Sequence, residues 1–199
     1  MIGRDEIVRS LTGSWRLFLG KPDALRAFDT STEGFWRSFQ TIVLVVPIYL
    51  VAALGDRAAS FGDVIADGTV SATTFWATEA LTLALDWVAL PALLAVVAGV
   101  IGIKREYSAY VVVRNWAAPL MAAPFAAASL LGGLGISEDF LLIPSLAALV
   151  FSLRFGYLIA RRTLNAGVDV AIGMVVLDVL VSILVVKVVG RLTGIELFL

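Results

Sequence analysis

The sequence predicts an all-α membrane protein, a five-transmembrane-helix bundle behind an N-terminal cytoplasmic amphipathic helix, with residues 1–33 as the cytoplasmic segment and 34–199 as the membrane domain. Three observations predict it. Of the 199 residues, 60% are hydrophobic and 16% charged, against roughly 45–50% and 25% in soluble domains, and the mean hydropathy is +0.95. Five stretches are long enough for the roughly 20 residues that a hydrocarbon core of ~30 Å demands. Basic residues gather at every second connection, as the cytoplasmic flanks of membrane helices do.

The segment before the first span comes first. From Asp5 to Leu19, Ile7, Val8, Leu11, Trp15 and Phe18 recur at helical spacing, flanked by Arg4, Arg9 and Arg16, which is the pattern of a helix lying in the membrane interface. Gly20 is expected to stop that helix, and Pro22 to open a second short one. Thr30, followed three residues later by Glu33, reads as a capping box ahead of the first span. The first long apolar run begins only near Thr41, so this span is expected to remain as an anchor rather than serve as a cleaved secretory signal.

The five spans are predicted at 35–54, 75–103, 109–131, 140–160 and 168–189, with a polar loop from Gly55 to Thr74 and three short connections that make successive helices antiparallel. Arg4, Arg9, Arg16, Lys21, Arg26 and Arg37 precede the first span, Lys104 and Arg105 follow the second, and Arg161 and Arg162 follow the fourth. The opposite flanks carry Arg57, none in the third loop, and Arg191. An odd span count gives this alternation, with the amino terminus inside and the carboxyl terminus outside. Pro47, Pro91, Pro119, Pro124 and Pro144 fall inside spans and should kink them, the pair in the third span marking the best place for a break.

Ionisable groups inside spans are costly and count as functional candidates by default. They are Glu79, Asp86, Arg114, Arg154, Asp178 and Lys187. At ~1.5 Å per residue, Arg114 and Arg154 lie about 10–12 Å from the cytoplasmic ends, Asp86 and Asp178 nearer mid-membrane, and Glu79 and Lys187 near the outer face. Glu79 and Asp86, seven apart, share a helix face, whereas Asp178 and Lys187, nine apart, do not. The expected arrangement has Asp178 accepting from Arg114 or Arg154 while Lys187 snorkels outward. The competing arrangement makes Asp86 and Asp178 carriers of a proton or ion relay. Trp87, Tyr110, Trp116 and Tyr157 near these positions either line a pocket or fill the bundle.

Several functions are excluded or left without support. A net charge of −1 gives no basic field for nucleic acid. The chain has no Cys and no His, which removes disulfides, thiolate nucleophiles, imidazole bases and the usual metal ligands. No nucleophile elbow, phosphate loop or zinc-protease motif occurs, so no catalytic residue, cofactor or metal is assigned. Among the fifteen basic residues only Lys21, Lys104 and Lys187 are lysine, and Ala, Val and Gly abound, which points to a GC-rich bacterial genome and an inner-membrane location.

A polar N-terminal segment inside, five spans and a tail outside resemble the layout of the Yip-domain (Ypt-interacting) family. The segments KREYSAYVVVRNWAAP, leading into the third span, and SLRFGYLIARRTLNAG, in the fourth, carry the likeness. The resemblance implies that architecture and a non-enzymatic membrane role, touching Tyr107, Tyr110, Pro119 and Tyr157. The function expected is therefore a scaffold, assembly factor or partner subunit in the lipid bilayer, bound to another membrane protein or to copies of itself. The alternative is a small oligomeric transporter or channel that uses the charged residues within its spans, with a membrane-embedded enzyme third.

Overall fold

The computed structural model describes residues 2–60, 65, 68 and 70–195, the side chains of residues 59, 60 and 138 excepted. Within them the chain forms α1 (Arg4–Phe18), a 3-10 turn (Ala24–Ala27), α2 (Thr32–Ser38), a second 3-10 turn (Phe39–Thr41), α3 (Ile42–Ser60), α4 (Ala72–Val97), α5 (Tyr107–Gly133), α6 (Glu138–Thr163) and α7 (Val168–Thr193). Among the described residues, five helical segments are long and apolar enough to cross a membrane: Thr32–Ala58, Ala72–Val97, Tyr107–Gly133, Asp139–Thr163 and Val168–Thr193. Their outward sides present Val43, Phe140, Ile143, Val150 and Leu184 to the surroundings. That much exposed apolar surface suits hydrocarbon and would aggregate in water.

Local chemistry explains the helix ends. α1 closes in a Schellman motif, with the Gly20 N–H donating to Leu17 O at 2.9 Å and the Lys21 N–H to Arg16 O at 3.0 Å, around a left-handed Gly20 at φ +74°. Gly135 at φ +87° ends α5 the same way, where the Ile136 N–H reaches Leu131 O at 3.2 Å. α2 is capped by Ser31, whose hydroxyl accepts from the Gly34 N–H at 3.1 Å; the predicted Thr30–Glu33 box does not form, because Glu33 turns to Arg37 instead. Pro22 opens no α-helix, only the 3-10 turn at Ala24–Ala27.

Other boundaries also differ from the sequence reading. α3 continues to Ser60 and α4 begins at Ala72, so Gly55, Asp56 and Arg57 at one end and Ala72, Thr73 and Thr74 at the other, all predicted as loop, are helical; part of the loop between them lies outside the described residues. α4 ends at Val97, and Ala98–Ile103 leaves the helix through Gly102 at φ +79°. Arg191 belongs to the last turn of α7 rather than to a tail. α5 passes both Pro119 and Pro124 without a break; the neighbouring helices on its flanks hold it continuous where a lone helix would open.

Packing does not follow chain order. α5 is central: α3 lies along it in the most extensive contact of the bundle, and α6 packs on it next most extensively. α7 joins α6 to α4, while α4 touches α5 only lightly and is not among the closer neighbours of α3. The main core lies at the end of the bundle that carries α1, where Leu17, Leu90, Leu94, Val111, Trp116 and Phe155 are buried together.

α1 is fastened across that end and divides into three faces. Ser10, Gly13, Ser14 and Leu17 are buried, Val8, Trp15 and Leu19 are exposed and apolar, and Asp5, Arg9, Thr12 and Arg16 are polar and line the rest. Gly13 is required by the approach of the 3-10 turn, since a Cβ there would meet the Ala27 Cβ. Arg37 ties the segment to the first span by pairing with Glu6 (3.2 Å), Asp29 (2.6 Å) and Glu33 (2.5 Å). The Asp29 carboxyl, hydrogen-bonded by Ser31 and facing Arg37, sits below its ordinary value of 3.8. A carboxyl depressed in the folded state contributes stability above its unfolded value and loses it as pH falls through the lower folded one. Arg37→Ala is therefore expected to speed proteolysis between residues 20 and 31 at neutral pH. Acidification below about pH 4 should do the same to the unsubstituted protein. Unchanged cleavage rates in both cases would remove this clasp from the account.

Candidate functional site

Three helices bring charge into the middle of the bundle. On α5, Arg114 is only 13% exposed at its side chain, and its Nη2 donates to Asp178 Oδ1 of α7 at 2.8 Å. One turn along α7, Ser182 donates through Oγ to Asp86 Oδ1 of α4 at 2.6 Å. A single face of α7 thus serves both neighbours, because residues four apart stack on one side of a helix. The Asp86 carboxylate also acts on Arg114 electrostatically, and Tyr110, one turn before Arg114, senses both Asp178 and Arg114. Arg114 Nε has no hydrogen-bond partner among the described residues.

The six sequence candidates therefore separate. Arg114 and Asp178 form the intramembrane pair, and Asp86 joins them through Ser182 rather than through a cation. Glu79, on the same side of α4 as Asp86, faces the Tyr49 hydroxyl of α3. Arg154 does not reach Asp178. Its guanidinium lies 4.3 Å over the Phe18 ring and donates to Phe18 O at 2.9 Å, holding the end of α1 against α6. Counting depth along a helix places Arg154 level with Arg114 but says nothing of the direction in which it points. Lys187 is exposed and forms no ion pair among the described residues.

The aromatic candidates divide as well. Trp87 and Trp116 are buried in the bundle, the Trp87 Nε1 without a partner among the described residues. Tyr110 lines a cavity of about 340 Å³ between α5, α6 and α7, together with Asp178, Ser182 and Ser152. Tyr157 lines a second groove of about 340 Å³ between α6 and α7, beside Arg154.

Sequence reasoning missed the hydroxyl and amide partners. Ser182 and Tyr49 carry no spacing signal, although Ser182 stands four residues after Asp178. Asn115, fully buried beside Arg114, donates through Nδ2 to Ser38 Oγ of α2 at 3.0 Å, tying the start of the first span to α5.

Chemically, the arrangement holds one neutralised pair and two carboxyl groups whose nearest partners are hydroxyls. A charge-assisted bond such as Arg114–Asp178 compensates the cost of both ions in a low-dielectric site. Asp86 has no direct cation partner and only the field of Arg114, and Glu79 has neither; a carboxylate at membrane depth without compensation costs several kcal/mol unless a proton or cation neutralises it.

The chain matches no known protein family, no curated protein and no solved structure.

Proposed function

We propose that this is a Yip-like multi-pass protein of the bacterial inner membrane, amino terminus cytoplasmic and carboxyl terminus outside, that acts by binding as a scaffold, assembly factor or partner subunit. The observation that carries the reading is the three-faced α1. Its buried face and the contacts of Arg37, Arg154 and Arg162 hold it in place. Its apolar Val8, Trp15 and Leu19 then suit the acyl boundary, and its polar Arg9 and Arg16 suit the headgroups and water above it. A rigid interfacial shelf of this kind offers a docking surface that a purely membrane-buried bundle lacks.

Two measurements test the proposal. A reporter fused after Leu199 should be active only outside the cytoplasm, and labels at Lys104 and Arg162 should react from the same, cytoplasmic, side; opposite sides for those two labels would overturn the orientation. Mild extraction of native membranes should recover a stoichiometric partner that Arg9→Glu/Arg16→Glu releases. A lone monomer recovered from both proteins would overturn the scaffold role.

A second reading, a small transporter or channel, is favoured by one specific observation. Asp86 and Glu79 are met by Ser182 and Tyr49 hydroxyls rather than by guanidinium or ammonium groups, which leaves them able to exchange protons or bind a cation.

A further inference from the structure

α3 and α4 follow each other in the chain but pack chiefly against α5 and α7, respectively. The space left between them is a cleft of about 280 Å³. Along α3 its lining runs from Ile42 to Ala53, a length of about 16 Å at the rise of an α-helix. Val46, Leu50 and Leu83 form apolar walls, and Tyr49, Trp76 and Glu79 supply the polar and aromatic groups. Val46 and Leu50 are also exposed on the side of the bundle, so the cleft opens laterally, toward lipid in the orientation proposed above.

Glu79 is the chemical centre of this cleft. It is 9% exposed and forms no ion pair among the described residues. The charged group that acts on it is Asp56, of the same sign, and its hydrogen-bonding neighbour is Tyr49. Asp178, by contrast, carries its own counter-ion in Arg114. In its ionised form a carboxyl so placed attracts a positive ligand, and the aromatic rings of Trp76 and Tyr49 line the same cleft, where aromatic side chains suit a cation. A bare divalent metal is a poor fit, because it requires about six oxygen ligands and the walls are apolar.

We infer that the α3/α4 cleft is a binding site for a lipophilic organic cation, an alkylammonium whose head takes Glu79 as counter-ion and whose chain lies along Val46, Leu50 and Leu83. The inference deepens the transport reading, yet binding does not depend on any subsequent movement across the membrane.

The test uses the full chain in nanodiscs of zwitterionic lipid. Octyltrimethylammonium, kept below its micellar concentration, is titrated by calorimetry against empty nanodiscs as background, with 1-octanol as the neutral comparator. Saturable binding of the cation above background is expected, with none for octanol. Glu79→Gln should weaken it about tenfold or more, the loss of one ion pair in a low-dielectric site, whereas Asp169→Asn, at an exposed carboxylate in the first turn of α7, should leave it unchanged. Ala80→Phe, which fills the cleft without altering charge, should abolish it and covers the case in which Glu79→Gln fails to fold. Equal affinity in Glu79→Gln, octanol binding as tightly as the cation, or no cation binding above empty nanodiscs would overturn the site. Flux of the same cation into vesicles is measured separately: binding without flux supports the site and retires the transport reading.

Discussion

Replacing Asp178 with Asn should destabilise the protein by about 3–5 kcal/mol, the usual cost of stripping one partner from a buried ion pair, read as a lower melting temperature in detergent and a lower yield in membranes. The cost arises on the other side of the pair. Arg114 remains charged, and with its Nη2 contact weakened it has little else to turn to, because its Nε is already without a partner among the described residues. Asp86 already acts on it electrostatically, but its carboxylate is engaged by Ser182 of α7. Arg114→Met combined with Asp178→Leu should recover most of the loss, since a well-packed apolar pair often equals or exceeds the ion pair it replaces. That ordering, single variant worse than double, is the signature of a structural pair. A single variant as stable as the unsubstituted protein would remove Arg114–Asp178 from the forces holding α5 to α7.

The same pair shows what a one-dimensional reading can and cannot supply. The five apolar runs and the depth of each charge are properties of length along the chain, so both are legible in the order of the amino acids. Direction around a helix axis depends on which helices are neighbours, and that depends on packing. Arg114 and Arg154 sit at similar depth, yet one points to Asp178 and the other to Phe18. Chain order misleads here as well, because α3 lies on α5 and α4 on α7. The hydroxyl partners are hidden for a related reason: Ser182 and Tyr49 become significant only once Asp86 and Glu79 are brought opposite them. The extent of α3 is hidden because Gly55, Asp56 and Arg57 have the composition of a loop. Their helical state follows from tertiary contact with α5, which overrides weak local propensity.

That contact leads to the second large expected effect. Gly55→Ala should cost at least the upper part of the ~1–3 kcal/mol typical of overpacking, because a Cβ on Gly55 would run into the carbonyl carbon and oxygen of Ser129 and stand 2.8 Å from the Leu130 N. Those are backbone atoms of α5, so no side chain can rotate aside and the two helices must separate. Gly133 meets Gly55 from the other side, its own Cβ position lying 2.9 Å from the Gly55 Cα, so Gly133→Ala should cost less but in the same direction. In lipid no hydrophobic force draws helices together, and close backbone approach at small residues supplies much of the packing that does. Gly173→Ala is the control, since nothing lies within 4 Å of the Cβ it would add and a helical Gly→Ala change gains about 0.5–1 kcal/mol. Melting temperatures should therefore rank Gly173→Ala at or above the unsubstituted protein, Gly133→Ala below it and Gly55→Ala lowest. If Gly55→Ala and Gly173→Ala melted together, the α3–α5 crossing would be looser than this close approach requires, and the α3/α4 cleft could no longer be treated as a fixed space.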